Sequence, residues 1–286
     1  MEEKNIGIVA DEAIDLPEEI INNNDISLVK FKLDLQELEK YPGNIYEKMR
    51  QAEKENKITF AKTSQPSIND FAKAFQEKLK NYKEIICITI SSKVSGTYNS
   101  ALQAKKFLAQ ELKERVHIFD TLNGSAGEGL FVLKTLELIK NNYNIKEIIE
   151  KLEQETKKIK LLGLYENGKW LEASGRIPRF INKGAERMKI KPLFGFKDGK
   201  LAIAGIKRVK EMSKILFEEF EKNTQKIRQS GKKIIAGITH ADNLEEAKKL
   251  KDLLSKINVE VIFSSFVCLP IGSHIGPGAL VLSWNE

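Results

Sequence analysis

Short apolar runs alternate with amphipathic stretches along the first half of the chain. The runs predict strands at 6–10, 26–35, 84–90 and 116–120, and the stretches between them have the apolar spacing of helices. Helices are predicted over 45–57 and 98–112, and between them a helix is predicted to start at Ser67 and Asp70. Two further predicted helices end near residue 158. Buried strands that alternate with helices predict a parallel sheet with helices on both faces.

Three local expectations concern the ends of these elements. Asp15 stands three residues before Glu18 with Pro17 between them, which is typical of a helix N-terminus, so we expect Asp15 to cap a helix. Asp242 is expected to cap a later helix in the same way. Residues 61–67, which contain Thr, Ser and Pro, are expected to form a loop.

The second half has a different pattern. Residues 191–206 hold two apolar runs around Asp198 and Gly199, a pair typical of a two-residue hairpin turn. Helices are predicted over 210–229 and 244–257, strands over 234–239 and 260–267, and a glycine-rich segment follows. The sequence therefore predicts an α/β protein of two domains, the second smaller and of the α+β type, with the boundary at about 158–163.

Composition agrees with a folded protein. The chain has 286 residues, enough for about two domains of ~150 residues each. Hydrophobic residues make up 41% and charged residues 30%, which excludes extended disorder. No apolar run approaches a membrane span and no secretion signal is recognised, so we expect a cytoplasmic protein without stable membrane insertion. Cys87 and Cys268 lie in apolar runs and are expected to be buried thiols, with no disulfide or metal spacing.

The net charge is 47 − 40 = +7. Most of the basic residues are Lys, interspersed with Glu along amphipathic segments, which disfavours nucleic-acid binding because no concentrated basic stripe results. Lys207, Arg208 and Lys210 are candidates for a surface that docks an acidic partner protein. An exposed helix start explains the same three residues equally well.

Candidate chemistry concentrates in loops at the carboxyl ends of the predicted strands. Four loops, at 11–15, 63–67, 91–97 and 121–127, are rich in small polar residues, and in parallel sheets this edge is where ligands bind. The strongest is 91–97, where Gly96 allows close approach to a ligand as a helix begins. Motifs for a P-loop, a dinucleotide fold and a nucleophile elbow are absent, so these classes lose support.

Three histidines and one arginine complete the candidates. His117 lies within a strand pattern and is expected to be structural, and His240 stands at a strand end. His274, near the chain end, is either a turn residue or a site residue. Arg176 by itself would be an ordinary surface arginine.

Taken together, these motifs resemble the DegV family, the fatty-acid-binding carrier subunits of bacterial fatty acid kinase. The matching segments, in chain order, are Asp11 with Asp15, residues 63–67, 91–101, Asp120 with Ser125 and Gly127, 175–177, 190–192, 240–242 and 274–278. The resemblance implies a Rossmann-like N-terminal domain over 1–160 and a smaller C-terminal domain over 161–286. One long-chain fatty acid would lie in a buried tunnel between them.

The same resemblance implies which residues bind the ligand. Thr63, Ser95 and the backbone at Gly96 would hold the carboxylate, with Arg176 and His274 close by. The chain would have no catalytic residue, no metal and no cofactor besides the bound fatty acid. A separate ATP-dependent kinase would phosphorylate the carboxylate to an acyl-phosphate for phospholipid synthesis.

One motif departs from the family pattern, because Glu12 and Ala13 follow Asp11 where family members usually have hydroxyl residues. An acidic group beside a bound carboxylate is unfavourable. Glu12 is therefore expected either to face solvent or to reflect a different acyl chain or partner kinase.

Two other functions stay open at this point. A serine-dependent acyl hydrolase would use Ser95 as nucleophile and His274 as base, although the sequence offers no obvious acid to orient the histidine. A metal-dependent sugar or phosphate enzyme would use Asp11 and Asp15 as ligands.

Overall fold

The computed structural model describes residues 4–55, 62–166, 168–177, 190–208 and 210–286. Its strands are β1 (Lys4–Asp11), β2 (Ser27–Val29), β3 (Lys32–Asp34), β4 (Lys62–Ser64), β5 (Tyr82–Thr89), β6 (Val116–Asp120), β7 (Lys160–Leu164), β8 (Ile190–Lys197), β9 (Lys200–Arg208), β10 (Ile235–His240), β11 (Glu260–Phe266) and β12 (Leu280–Trp284). Its helices are α1 (Glu18–Asn23), α2 (Ile45–Lys54), α3 (Ile68–Lys78), α4 (Thr97–Lys106), α5 (Gln110–Lys113), α6 (Ala126–Lys140), α7 (Ile145–Glu155), α8 (Gly168–Ala173), α9 (Met212–Gln229), α10 (Leu244–Ser255) and α11 (Leu269–Ile275). Short 3-10 helices lie at Glu12–Ile14 and Gln36–Leu38.

The first half forms a parallel sheet in the order β2-β1-β5-β6. The two inner strands are buried on both faces, because α6 and α7 cover one side and α3 and α4 cover the other. Ser67 and Asp70 form a capping box at the start of α3, as their spacing predicts. The predicted parallel sheet is confirmed.

The second sheet has six strands in the order β11-β10-β12-β7-β8-β9. Only β10 and β11 are parallel, and the other neighbours are antiparallel. The hairpin of β8 and β9 turns at Asp198 (φ 50°) and Gly199 (φ 77°), as the sequence predicts, since both positions of such a turn need positive φ. The chain therefore has the two-domain α/β fold expected from its pattern.

Four apolar clusters hold the molecule together, and two of them cross between the halves. One joins α6 and β1 to Leu161, Phe263 and Val281 of the second sheet. The other joins α2 to β8 and α8, so a helix of the first half packs on the second sheet. The remaining two clusters each belong to one half.

Several predicted elements differ from the structure. The predicted strand 26–35 is two strands, β2 and β3, because the chain turns where Glu12 Oε1 accepts the backbone N–H of Phe31 at 2.6 Å. The predicted loop 61–67 contains β4, which pairs antiparallel with β3; Ala61 lies outside the described residues. Helix α2 ends at Lys54, and residues 56 and 57 also lie outside them.

The predicted helix 98–112 is interrupted, because the backbone at Ala109 is extended and separates α4 from α5. The predicted caps are also wrong. Asp15 follows the first 3-10 helix at a positive φ of 48°, and α1 begins after Pro17 without a side-chain cap. Asn243, not Asp242, precedes α10, and Asp242 forms an ion pair with Arg50 at 3.4 Å.

The glycine-rich end contains two elements that the sequence pattern did not predict, α11 and β12. Strand β12 is buried at every position and lies between β10 and β7. His274 lies in α11 rather than in a turn. This helix carries the end of the chain back towards the first domain.

Candidate functional site

A cavity of about 380 Å³ lies between the second sheet and the loops at the carboxyl edge of the first sheet. This volume falls within the range of about 300–1,000 Å³ that is typical of ligand pockets. Its lining is mostly apolar and comprises Phe31, Thr63, Ser64, Gln65, Ile90, Val94, Ser95, Gly96, Gly124, Ser125, Leu161, Tyr165, Leu171, Arg176, Phe196, Leu201, Pro270, Ile271, His274, Ile275 and Val281.

The floor of the cavity is one face of the second sheet. Val281 of β12 pairs with Gly163 of β7, which pairs with Phe194 of β8, so the three positions share this face. Leu161 and Tyr165 lie two residues to either side of Gly163 and belong to the same face. The alternation of side chains along β7 therefore builds an apolar floor.

The polar end of the cavity brings together Thr63 of β4 and His274 of α11. Thr63 Oγ1 lies 2.6 Å from Nε2 of His274, while the buried Nδ1 atom of His274 has no hydrogen-bond partner. Burial of the ring and, second, the positive charge of Arg176 lower the pKa of His274 to about 4. The imidazole is therefore neutral at pH 7 and offers one donor and one acceptor.

Ser95 and Gly96 stand at the start of α4. Ser95 Oγ lies 2.7 Å from Thr97 Oγ1 and accepts the backbone N–H of Thr97 at 3.3 Å. A Cβ atom at Gly96 would lie 2.1 Å from Oε1 of Gln65, whose amide donates to Ser100 Oγ at 3.1 Å. A side chain at position 96 would therefore have to displace the end of Gln65, and the helix start presents N–H groups suited to an anion.

Arg176 lies three residues beyond the end of α8 and also lines the cavity. Its guanidinium donates to the backbone carbonyl of Ser174 at 2.6 Å. No charged neighbour perturbs the pKa of Arg176 among the described residues, so its positive charge is not neutralised by a carboxylate there. An anion at this end of the cavity would meet that charge.

Three acidic side chains are buried behind the polar end. Asp11 accepts the backbone N–H groups of Ala13 and Ile90, each at 2.9 Å. Burial raises the pKa of Asp11 to about 7. Glu128 of α6 is fully buried, and burial, with the nearby Asp11 and Asp15 carboxyls, raises the pKa of Glu128 well above its usual value.

Asp15 connects the two domains. Its carboxylate accepts the hydroxyl of Ser125 at 2.5 Å and the backbone N–H of Cys268 at 2.7 Å. Ser125 Oγ also lies 2.8 Å from Oγ1 of Thr239 in the second sheet. Burial raises the pKa of Asp15 to about 7.

The structure brings all five predicted ligand-binding residues to this one cavity: Thr63, Ser95, Gly96, Arg176 and His274. The loop 11–15 does not line it, because Asp11 and Asp15 support neighbouring loops instead. Glu12 does not simply face solvent, since its carboxylate accepts the N–H of Phe31.

Sequence reasoning missed Phe31, Gln65, Tyr165 and Phe196 among the lining residues. Only Gln65 belonged to a motif already noted, and the other three are apolar or aromatic side chains whose direction depends on the folded sheets.

The other candidates have ordinary structural surroundings. His117 Nε2 lies 3.0 Å from Glu84 Oε1 across neighbouring strands, and the buried His240 accepts the backbone N–H of Asn243 at 3.2 Å. Cys87 is a buried free thiol, whereas Cys268 is a free thiol that is only partly buried.

The two alternative functions gain no support from the geometry. Ser95 Oγ bonds to Thr97 and His274 to Thr63, and no acid among the described residues contacts the free nitrogen of His274. A hydrolytic triad is therefore not formed. Within the described ranges no cluster of His, Cys, Asp or Glu has the geometry of a metal site, and no helix has the length and apolar character needed to cross a bilayer.

The fold and the cavity define a class: two-domain α/β proteins that enclose an apolar pocket between a parallel and a mixed sheet. The chain belongs to the DegV family, because the model of this family, described as uncharacterised proteins, matches residues 5–286.

Relatives of known name match over most of the chain. Protein DegV of Bacillus subtilis is 29% identical and covers 98% of this chain and 99% of its own length. A fatty acid-binding protein of Thermotoga maritima is 30% identical over 83% of this chain and 80% of its own length. The structure of a fatty-acid-binding DegV family protein from Thermus thermophilus has a TM-score of 0.82 at 26% identity and covers 99% of both chains.

Proposed function

We propose that this protein binds one long-chain fatty acid in the cavity, with the alkyl tail over the second sheet and the carboxylate at the polar end. The ligand would lie between a domain of residues 1–160 and a domain of residues 161–286. One observation carries the proposal: an apolar cavity ends at a hydrogen-bonded group of neutral side chains, with Arg176 as the unneutralised charge.

A fatty acid has an apolar tail and a polar head group, and each suits one end of the cavity. Burial of an acyl chain of ~16 carbons contributes roughly 12 kcal/mol before ordering costs, at ~0.8 kcal/mol per methylene. A buried carboxylate without donors would cost several kcal/mol, so the head group needs hydrogen bonds. Thr63, Ser95 and Gly96 line the cavity, and the two hydroxyls and the backbone at Gly96 would supply them.

The names of relatives support this ligand class. The Thermotoga maritima relative is a fatty acid-binding protein, and the Thermus thermophilus structure concerns fatty acid binding by a DegV family protein. The first match covers 83% of the present chain and the second covers 99% of it.

The proposal also assigns the chemical step to a second protein. The chain would not itself be a catalyst but would present the carboxylate to a separate ATP-dependent fatty acid kinase. Neutral donors suit this role, because a tight ion pair would make the carboxylate a weaker nucleophile towards ATP. Arg176 and the neutral His274 would orient the head group or assist phosphoryl transfer.

The kinase would dock on a basic surface of the second domain. Arg208, the last residue of β9, and Lys210 are both exposed, whereas Lys207 already pairs with Glu219. Arg208 and Lys210 are therefore the stronger candidates of the three for an acidic partner.

Native mass spectrometry of the purified protein tests the ligand. We expect one bound molecule per chain, identified as a long-chain fatty acid after solvent extraction. A protein that neither retains a fatty acid nor takes one up from added palmitate would refute the proposal.

Two substitutions separate binding from presentation. Ser95→Ala should weaken fatty acid retention, while Ser92→Ala, in the same loop but away from the cavity lining, should not. Arg176→Ala should retain the ligand but reduce its phosphorylation by a fatty acid kinase with ATP, and Arg228→Ala is the matched control on α9. Unchanged phosphorylation in Arg176→Ala would exclude the proposed role of that residue.

A further inference from the structure

One polar atom on the floor of the cavity has no role in binding a carboxylate: the hydroxyl of Tyr165. We propose that Tyr165 selects acyl chains that carry a hydrogen-bond acceptor along their length, in preference to saturated chains of equal length. This inference rests on the proposed function and names the class of fatty acid.

The position of the hydroxyl follows from the residue two places before it. Gly163 has no side chain, and the ring of Tyr165 folds back along β7 into the space above it. A Cβ atom at Gly163 would lie 2.8 Å from the Tyr165 hydroxyl and 3.5 Å from Val281 Cγ2. The hydroxyl therefore lies over the middle of the sheet face, next to Val281, which also lines the cavity.

The surroundings of this hydroxyl are apolar. Tyr165 is 3% exposed, and its ring packs on Phe194 with centroids 5.0 Å apart. Burial alone raises the pKa of the phenol, with no charged neighbour contributing. Among the described residues no side chain or backbone group forms a hydrogen bond with it, and the other cavity-lining residues on this sheet face, Leu161, Phe196 and Leu201, are also apolar.

The Tyr165 hydroxyl opens onto the cavity, so an acyl chain that fills the cavity would cover it. A hydroxyl that is covered without a partner is costly, so an acceptor on the ligand would be favoured at this point. A phenylalanine would fill the same floor without that cost, which makes the tyrosine informative. The carboxylate is not the expected acceptor, because its donors Thr63 and Ser95 belong to the first domain, whereas Tyr165 belongs to the second sheet's face. A hydroxyl or keto oxygen on the chain would accept strongly, and the π electrons of a double bond weakly.

Competition between acids of 18 carbons tests the proposal. The delipidated protein is mixed with equal amounts of stearic acid, oleic acid and a set of monohydroxystearic acids, and the retained acids are extracted and quantified. We expect the protein to favour one or more hydroxy acids over stearic acid by about tenfold, with oleic acid between them.

In Tyr165→Phe the ratio of retained hydroxy acid to retained stearic acid should fall close to one, while stearic acid is still retained. Gly163→Ala, whose Cβ would displace the hydroxyl, should also reduce this ratio, and Tyr143→Phe, outside the cavity lining, should leave it unchanged. Equal preference in the wild type and Tyr165→Phe, or no preference in the wild type, would overturn the inference. Failure to retain any of the acids would instead contradict the proposed function.

Discussion

At the scale of single residues, the unusual feature is a group of three buried carboxyls that no basic side chain of the described residues contacts. Asp11 and Asp15 are satisfied by backbone and hydroxyl donors, whereas no donor in the described part of the chain reaches either carboxyl oxygen of Glu128. The acidic groups that act on Glu128 are Asp11, Asp15 and Asp120, and Cys87 also lies within their electrostatic reach. The pKa of Glu128 is therefore raised in the folded protein, and this carboxyl keeps its proton to a higher pH than it does in the unfolded chain.

A pH-dependent stability difference follows for Glu128→Gln. The folded protein keeps the Glu128 proton above pH 4.5, where the unfolded chain loses it, so this group stabilises the wild type less as the pH rises. Glutamine does not titrate, and the stability of Glu128→Gln relative to wild type should rise by up to about 1.4 kcal/mol per pH unit. Thermal unfolding from pH 5 to pH 8 measures this difference.

The control is Glu137→Gln on the same helix, whose side chain is 55% exposed and pairs with Lys134. This control shows what the same substitution does at an exposed position of α6. An offset between Glu128→Gln and the wild type that stays constant from pH 5 to pH 8 would contradict the raised pKa of Glu128.

A second residue-scale prediction concerns Gly96. A methyl group there would displace Gln65 and break its hydrogen bond to Ser100. We expect Gly96→Ala to weaken fatty acid retention several-fold, of the order of one lost hydrogen bond. Gly205→Ala, where a Cβ meets only Lys207 Cε at 3.8 Å, is the control, and equal retention in both variants would contradict the prediction.

At the scale of elements, α11 brings four residues of the second domain to the cavity. They are Pro270, Ile271, His274 and Ile275. Asp15 fixes the start of this helix, because its carboxylate accepts the N–H of Cys268 and its carbonyl accepts the hydroxyl of Ser265. One aspartate of the first domain thus positions a helix of the second.

Asp15→Ala should therefore destabilise the protein by about 2–4 kcal/mol, since two buried donors lose their acceptor. Urea unfolding measures the loss, and fatty acid retention should fall in parallel because His274 shifts with the helix. Asp15→Asn keeps one carbonyl oxygen for Cys268 and should cost less than half as much. Equal effects of the two substitutions would show that the charge, not the acceptor geometry, is what matters.

Local sequence patterns predicted the elements that local forces decide. The parallel strands, the capping box of Ser67 and Asp70, and the turn at Asp198 and Gly199 follow from burial periodicity and backbone preferences. The break between β2 and β3, strand β4 and α11 depend on distant partners such as Glu12 and Asp15, so no local pattern could indicate them. For the same reason the motifs indicated Thr63, Ser95 and His274 but not Tyr165, whose hydroxyl is defined by the strand pairing around Gly163.

At the scale of the whole molecule, the two halves share their cores. Helix α2 packs on the second sheet through Tyr46, Met49 and Ala52, and Glu53 accepts the indole N–H of Trp170 at 3.0 Å. The cavity lies between surfaces that both halves stabilise. The domains are therefore expected to unfold together.

Met49→Ala tests this coupling. Both tryptophans, Trp170 and Trp284, belong to the second half, so their fluorescence reports unfolding of that half. Removing the fully buried Met49 side chain should lower the stability seen by this fluorescence by about 2–5 kcal/mol. Lys54→Ala, an exposed position on the same helix, should have little effect, and an unchanged fluorescence transition in Met49→Ala would show independent domains.

The position of α2 also affects how the protein would respond to a protease. The strands before and after this helix in the first half pair with one another, yet the helix itself is embedded in the other half. A single cut in the connection between α7 and β7 would leave two fragments joined by that embedded segment and by the shared interior. Such a nicked protein should elute from a sizing column as one intact particle and separate into two pieces only in denaturant.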